Sequence, residues 1–347
     1  MVACKATYGS VMSTSHLQLD YMTAQDYIQT KLDELKQPLG IQKPTDKNGL
    51  VDAIFNALMS KKFRKYSAND SLKQQVRNAI KINVDKNEPI NVTFLHGAYK
   101  LWRLEETPEA DWAELFSLMF YSAWVKPICE VYEPGVWFDF FVDDYIITRL
   151  DNIPKKDVQS YLDSYQSLID FLKPYQPSNL RMTITTVGGQ FPSEEAFDKS
   201  LQSNLEKLTQ ETPGGLPELN DAQVAMVELN TKPTDKQLED PKWREKVYHL
   251  HNAYMATKAE PGYHKGRPEK IMAFTQPLPS GTTISVGTTK GSIVKFWIGV
   301  GVLQQNKDTF KQVILSPSQL EKIAFEWQGV NLPIEGKNFK KIRVATS

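Results

Sequence analysis

Ile90-Asn91-Val92-Thr93-Phe94-Leu95 runs without a break into His96-Gly97-Ala98-Tyr99-Lys100. The first six residues alternate, are rich in β-branched and apolar types, and follow a turn signal at Asn87-Glu88-Pro89, so they predict a strand. In α/β sheets the carboxyl ends of the strands line the usual ligand crevice. This strand delivers His96, Tyr99, Lys100 and then Arg103 to that place. A lysine there can hold a phosphate as a point charge or polarise a carbonyl. Tyr99 and Trp102 offer aromatic faces for stacking. The competing reading is a solvated loop with a surface lysine.

Outward from this stretch, the patterning alternates. A helix is expected from Leu50 to Tyr66, with Val51, Ile54, Phe55, Leu58 and Met59 at helical spacing. It ends on Lys61, Lys62, Arg64 and Lys65, which complement a helix dipole or, alternatively, contact a phosphate. Thr107-Pro108 reads as the start of the next helix, with Thr as N-cap and Pro in the first position; Trp112, Leu115, Phe116, Met119, Phe120 and Ala123 form its buried stripe. Val136–Val142 and Tyr145–Leu150 read as a hairpin joined through Asp143-Asp144. A helix from about Val158 to Leu172 and a strand from Met182 to Val187, ending at Gly188-Gly189, continue the alternation. Residues 193–266 read as a helical section. Strands at Ile271–Phe274, Thr282–Gly287, Ile293–Leu303 and Gln312–Leu315 follow. The expected fold class is therefore α/β: a mixed sheet flanked by helices, a Rossmann-like core, with a helical insertion and a β-rich C-terminal portion. The expected division is a flexible arm at 1–20, the core at 21–192, the helical section at 193–266, and a β-rich part at 267–347 packed on the core.

Bulk properties narrow the function. The 347 residues carry 41 basic and 41 acidic side chains, so there is no basic excess of the kind nucleic-acid binding requires. A 41% hydrophobic content supports a sizeable core rather than disorder. No window of about 20 apolar residues predicts a membrane span. The N-terminus lacks a signal-peptide pattern, and Cys4 and Cys129 make neither a disulfide framework nor a CxxC site. Cytoplasm is the expected address, with no nucleic-acid or membrane partner.

Few motifs carry chemistry. His249 and His251 stand about 200° apart around a helix, the wrong geometry for one ion, and HExxH is absent. Neither GxGxxG after a strand nor GxxxxGK[ST] occurs, and there is no GxSxG elbow. Gly188-Gly189 could let a ligand approach, but a plain turn explains it as well. Cys129 reads as an inert core thiol. Asp143 and Asp144 can hold an amine or act as a base, and they are equally good turn residues.

With these pieces placed, the order of the chain from about residue 50 to about 320 resembles the isocyanide synthase family, of the pyoverdine/dityrosine-biosynthesis type. Phe63-Arg64-Lys65-Tyr66 resembles the basic end of the family's first helix. Asn87-Glu88-Pro89-Ile90, a strand and Lys100 resemble its G-x-P-I, strand, F-P-A-K-S-P-N segment. Asp111-Trp112-Ala113-Glu114-Leu115 resembles D-x-A-E, and Val131-Tyr132-Glu133-Pro134-Gly135 resembles Y-P-P-G. Asp143 stands where the family has the Asp of C-S-D-G-R. Asp157-Val158-Gln159-Ser160-Tyr161 and Asn252-Ala253-Tyr254 resemble D-V-x-x-Y and N-A-W. The lysine of the loop is kept, whereas its flanking Ser, Pro and Asn are not, and Thr275-Gln276-Pro277-Leu278-Pro279 stands where the family has H-P-x-P. The resemblance implies an enzyme of secondary metabolism that converts the amine of an amino acid to an isonitrile, taking the carbon from ribulose 5-phosphate, without metal or organic cofactor. It implies Lys100 as the catalytic or substrate-orienting group, Asp143 as an amine contact or base, and Arg64 and Lys65 as phosphate contacts. The residues themselves, apart from the resemblance, add His96 as a proton-transfer candidate and Tyr99, Arg103 and Asp144 as substrate contacts. A diverged enzyme acting on another small amine or metabolite, or a non-catalytic small-molecule-binding protein, are the alternatives.

Overall fold

The computed structural model describes residues 22–97, 100, 108–263, 266–278 and 281–345. Strand β1 (Ile90–Gly97) is the middle of a five-stranded sheet. Its neighbours are β2 (Val136–Asp143) and β4 (Lys270–Phe274), with β3 (Leu180–Thr186) and β5 (Thr283–Ser285) outside them. All pairings are parallel, in the order β3-β2-β1-β4-β5. A sheet buried on both faces needs apolar strands. Phe94, Phe138 and Phe140 meet this on one side, where they pack with Tyr121 and Phe296. Each such ring contributes roughly 1.5–3 kcal/mol over an exposed one.

The helices ahead of and between the strands are α1 (Ala24–Lys36), α2 (Lys47–Leu58), α3 (Asp70–Lys86), α4 (Trp112–Val131), α5 (Asp144–Arg149) and α6 (Lys155–Leu172). The helical section supplies α7 (Glu194–Glu211), α8 (Asp221–Asn230), α9 (Asp235–Leu238) and α10 (Trp243–Ala259). After the parallel sheet come β6 (Val300–Asn306), β7 (Thr309–Leu315), α11 (Pro317–Leu320), β8 (Phe325–Gly329) and β9 (Lys341–Ala345). These last four strands form a second sheet, β7-β6-β9-β8. Helix α4 lies between the two sheets, which is why it is buried nearly all round.

The α/β class with a second C-terminal sheet is as the patterning predicts, and four local expectations are corrected. Helix α2 ends at Leu58, not Tyr66; the following segment instead pairs with the end of β5, where Arg64 bridges Val286, Lys65 N–H donates to Ser285 and Gly287 N–H donates to Phe63. Helix α4 starts at Trp112 rather than Pro108, because Asp111 and Glu114 form a reciprocal capping box; Thr107 lies outside the described residues. The Val136–Leu150 hairpin does not form. Both edges of β2 are already taken by β1 and β3, so the β-branched residues after Asp144 coil into α5. Finally, residues 293–299 precede the strand β6 instead of belonging to it. Strands β4 and β5, in the 267–347 stretch, are members of the core sheet.

Candidate active site

Successive residues of a strand point to opposite faces, and the central sheet carries a polar cluster on each. On the α4/α6 face, Lys100 is fully buried. Its ammonium is 2.9 Å from Glu114 and 3.2 Å from Asp111, and it donates to the carbonyls of Phe296 and Gly299 at 2.7 Å each. An ammonium has three protons, and four acceptors surround this one. Tyr161 links the cluster to β1: its hydroxyl donates to Glu114 at 3.1 Å and lies 3.0 Å from His96 Nε2. While Glu114 accepts the Tyr161 proton, His96 Nε2 is the donor at the other contact. Burial holds His96 well below its ordinary pKa, with the Lys100 charge adding to the effect. Burial likewise pushes Glu114 up to about 8 against the pull of Lys100. Lys100 thus anchors the sequence after β1 to the cap of α4. It is saturated and closed to solvent, not the open phosphate or carbonyl contact that its place in the loop predicts.

The opposite face is built differently. Asp143, the last residue of β2, accepts from Tyr254 at 2.9 Å and from Lys258 at 2.5 Å, both at Oδ1. Helix α10 supplies both partners one turn apart, as i,i+4 spacing requires. In the register Phe141 stands beside Leu95, and at the end of β4 the Phe274 ring packs 6.4 Å from Phe94 and 6.2 Å from Trp297. The Lys258 ammonium sits 5.2 Å over the Phe141 ring and that of Lys295 sits 5.5 Å over Phe274. The two rings belong to strands two spacings apart, roughly 10 Å. Lys295 has no hydrogen bond or ion pair from its ammonium to any described residue, and burial lowers its pKa. In this strand order the direction of winding reverses between β1 and β4, where doubly wound sheets place their ligands. Lys295 and the adjoining Trp297 stand at that point. Gly97 closes β1 there because a Cβ would come within 2.4 Å of the Trp297 ring nitrogen.

The remaining expected residues disperse. Arg64 donates to the carbonyls of Met59 and Tyr66, and Lys65 to that of Lys290. Arg64 also lines a cavity of about 100 Å³ with Thr283 and Ser285. Asp144 accepts from the Gly188 amide at 2.9 Å, and burial raises its pKa. Gly188 is needed for that clamp rather than for a ligand, since a Cβ would meet the Tyr145 ring at 2.6 Å. Tyr99 and Arg103 lie outside the described residues. Asp143 is therefore the expected site residue that meets new partners, Lys258 and Tyr254. Lys295 had a sequence signal, a single cation inside the apolar run Ile293-Val294-Lys295-Phe296-Trp297-Ile298. Lys258 had one only in hindsight, since pairing it with Asp143 requires knowing that α10 crosses the end of β2. Among the described residues no group of three or more His, Cys, Asp or Glu could hold a metal. No helix among them is long and apolar enough to cross a membrane.

The fold is shared with a solved structure, the PvcA protein from Pseudomonas aeruginosa. The two superpose with a TM-score of 0.56 over 85% of this chain and 99% of that one, at 16% sequence identity. No protein-family model matches the sequence, and no curated protein is significantly similar to it.

Proposed function

We propose that the chain is an isonitrile synthase-like enzyme that joins the amine of an amino acid to a pentulose phosphate such as ribulose 5-phosphate at the carboxyl edge of the parallel sheet. The observation that carries this reading is the presence of opposite functions at the carboxyl edge: Asp143, which accepts from Tyr254 and Lys258 at Oδ1, and Lys295, a desolvated cation with no ion pair among the described residues. Asp143 Oδ2 takes the proton from the substrate ammonium. The freed nitrogen adds to the ketone carbon, water leaves, and a C=N bond forms. Loss of phosphate and cleavage of both carbon–carbon bonds of the former ketone carbon leave that carbon on nitrogen as the isonitrile, the rest of the sugar departing as smaller carbonyl fragments. Lys295 holds the phosphate as a point charge. The order of motifs that resembles the isocyanide synthases, and the fold shared with PvcA, support the reading. The burial of Lys100 favours a second one, an enzyme of this fold acting on another small amine or metabolite.

Incubation with each of the twenty amino acids and ribulose 5-phosphate, read by the isonitrile infrared band and by phosphate release, tests it. Asp143→Asn is expected to lower turnover at least roughly 100-fold, the scale of a lost general base. Lys295→Met is expected to raise KM for the pentulose phosphate about tenfold or more. No turnover with any amino acid, or turnover indifferent to Asp143→Asn, overturns the proposal.

A further inference from the structure

Below the carboxyl edge, on the same sheet face, α3 and α10 diverge and leave a cavity of about 530 Å³ over β4. Its walls are largely apolar: Leu72, Val76 and Ala79 from α3, Met255 and Ala259 from α10, and Met272 from β4. Three cations reach it, and they are not equivalent. Lys258 is paired with Asp143, and Arg267 with Glu269 at 2.5 Å. Lys270 has no ion pair among the described residues; its ammonium lies 3.2 Å from the centre of the Tyr263 ring. That ring is fixed from both sides, stacked on Phe141 at 3.9 Å and hydrogen-bonded through its hydroxyl to Asp139. Asp139 is itself occupied, accepting from Thr183 at 2.6 Å and Thr185 at 2.9 Å.

An apolar chamber with one cation that has no ion pair among the described residues, set on a rigid aromatic platform, is complementary to a molecule with an apolar body and a single negative end. We infer that this cavity is a binding site for a small apolar carboxylate, whose acid group meets Lys270 and whose aryl or alkyl body lies between α3, α10 and Met272. The site lies below the carboxyl-edge chemistry and adjoins it through Lys258, which lines the cavity and pairs with Asp143. Lys270 is depressed to about 8, first by burial and then by Arg267, with Asp139 and Glu269 opposing. Tyr263 faces it from the α10–β4 connection and Lys258 approaches from α10, while the α3 residues lining the cavity are uncharged. The cation is therefore present at pH 7 and lost as pH rises through 8, so affinity for a carboxylate falls over that interval.

Calorimetric titration of the full chain with indole-3-propionate, and with the neutral indole-3-propanol as control, tests the inference. Expected are binding of the acid at pH 7, at least tenfold weaker binding of the alcohol, and at least tenfold weaker acid binding at pH 9.5. Lys270→Met and the cavity-filling Ala79→Leu should each weaken acid binding at least tenfold. If Ala79→Leu does not fold, Lys270→Met and the alcohol still decide. No binding, equal binding of acid and alcohol, or binding kept in Lys270→Met overturns it; binding lost in Lys295→Met but kept in Lys270→Met would place the acid in the carboxyl-edge crevice and overturn it as well.

Discussion

The two faces of one sheet handle charge in opposite ways. Under α4 and α6, two carboxylates, Asp111 and Glu114, surround a single ammonium, and side-chain exposures are at most 2%. Elsewhere the excess runs the other way: Lys270, which lines the cavity between α3 and α10, and Lys295, at the carboxyl edge, have no ion pair among the described residues. A formal net charge of zero conceals this division. A buried charge survives folding only if partners and hydrogen bonds compensate for lost water, so the saturated cluster belongs to the architecture. A desolvated charge left without a partner is a cost unless something else supplies the partner, and a ligand is the natural supplier.

The largest expected effect separates the two arrangements by stability. Lys100→Met leaves Asp111 and Glu114 buried without their counter-ion, and should cost about 3–5 kcal/mol in urea unfolding. Lys295→Met removes a cation that burial already disfavours, and should change stability by no more than about 1 kcal/mol. Equal losses in the two variants would break the contrast. A smaller effect is in the pH dependence of the closed cluster. Glu114 is raised to about 8 from an ordinary 4.5, so the folded state binds the extra proton. Its contribution is fully present below pH 4.5 and lost as pH rises through 8, with a slope of at most about 1.4 kcal/mol per pH unit. Glu114→Gln should flatten the unfolding free energy across pH 5–8; an unchanged profile would mean that Lys100 keeps Glu114 ionised throughout.

How much of this was visible beforehand follows from how local each signal is. Strands β1 and β3 and helices α6 and α10 are legible because their apolar period runs through most of the element, whereas α7 falls in a stretch that reads only as polar and helical. Helices α1 and α3 were not assigned; α3 buries only Leu72, Val76, Ala79, Ile80, Asn83 and Val84 of its 17 residues, a thin stripe in a polar sequence. The hairpin that propensity predicts at Asp143-Asp144 does not form because pairing partners decide, and β2 already has β1 and β3. Asp143 could be picked out because strand ends are where α/β sheets bind ligands, and Lys100 for the same reason. Nothing local distinguishes a lysine that turns inward to Glu114, fourteen residues on, from one that faces the crevice. That distinction lies in the Asp111–Glu114 cap, which sequence reading passes over in favour of Thr107-Pro108. Lys258 and Lys295 reach the site from α10 and from the segment ahead of β6, so no window of sequence contains them together with Asp143.

The smallest expected effect concerns Lys270, and it tests whether the open face is open for a ligand or merely packed. With a folded pKa of about 8 against an ordinary 10.5, the unfolded chain binds more protons between those values, so stability rises with pH across that interval and the full handicap is present below pH 8. Lys270→Met removes the handicap and also the contact with Tyr263, which is worth about 0.5–1 kcal/mol where a cation is exposed. The variant should therefore be slightly more stable than the parent at pH 7, by less than about 1 kcal/mol after solvent screening, and should lose that advantage by pH 10.5. Thermal unfolding at the two pH values measures it. A variant clearly less stable at pH 7 would mean that the Tyr263 platform needs its lysine for folding. Lys270 would then be a structural cation like Lys100, and the cavity would have lost the group that selects an acid.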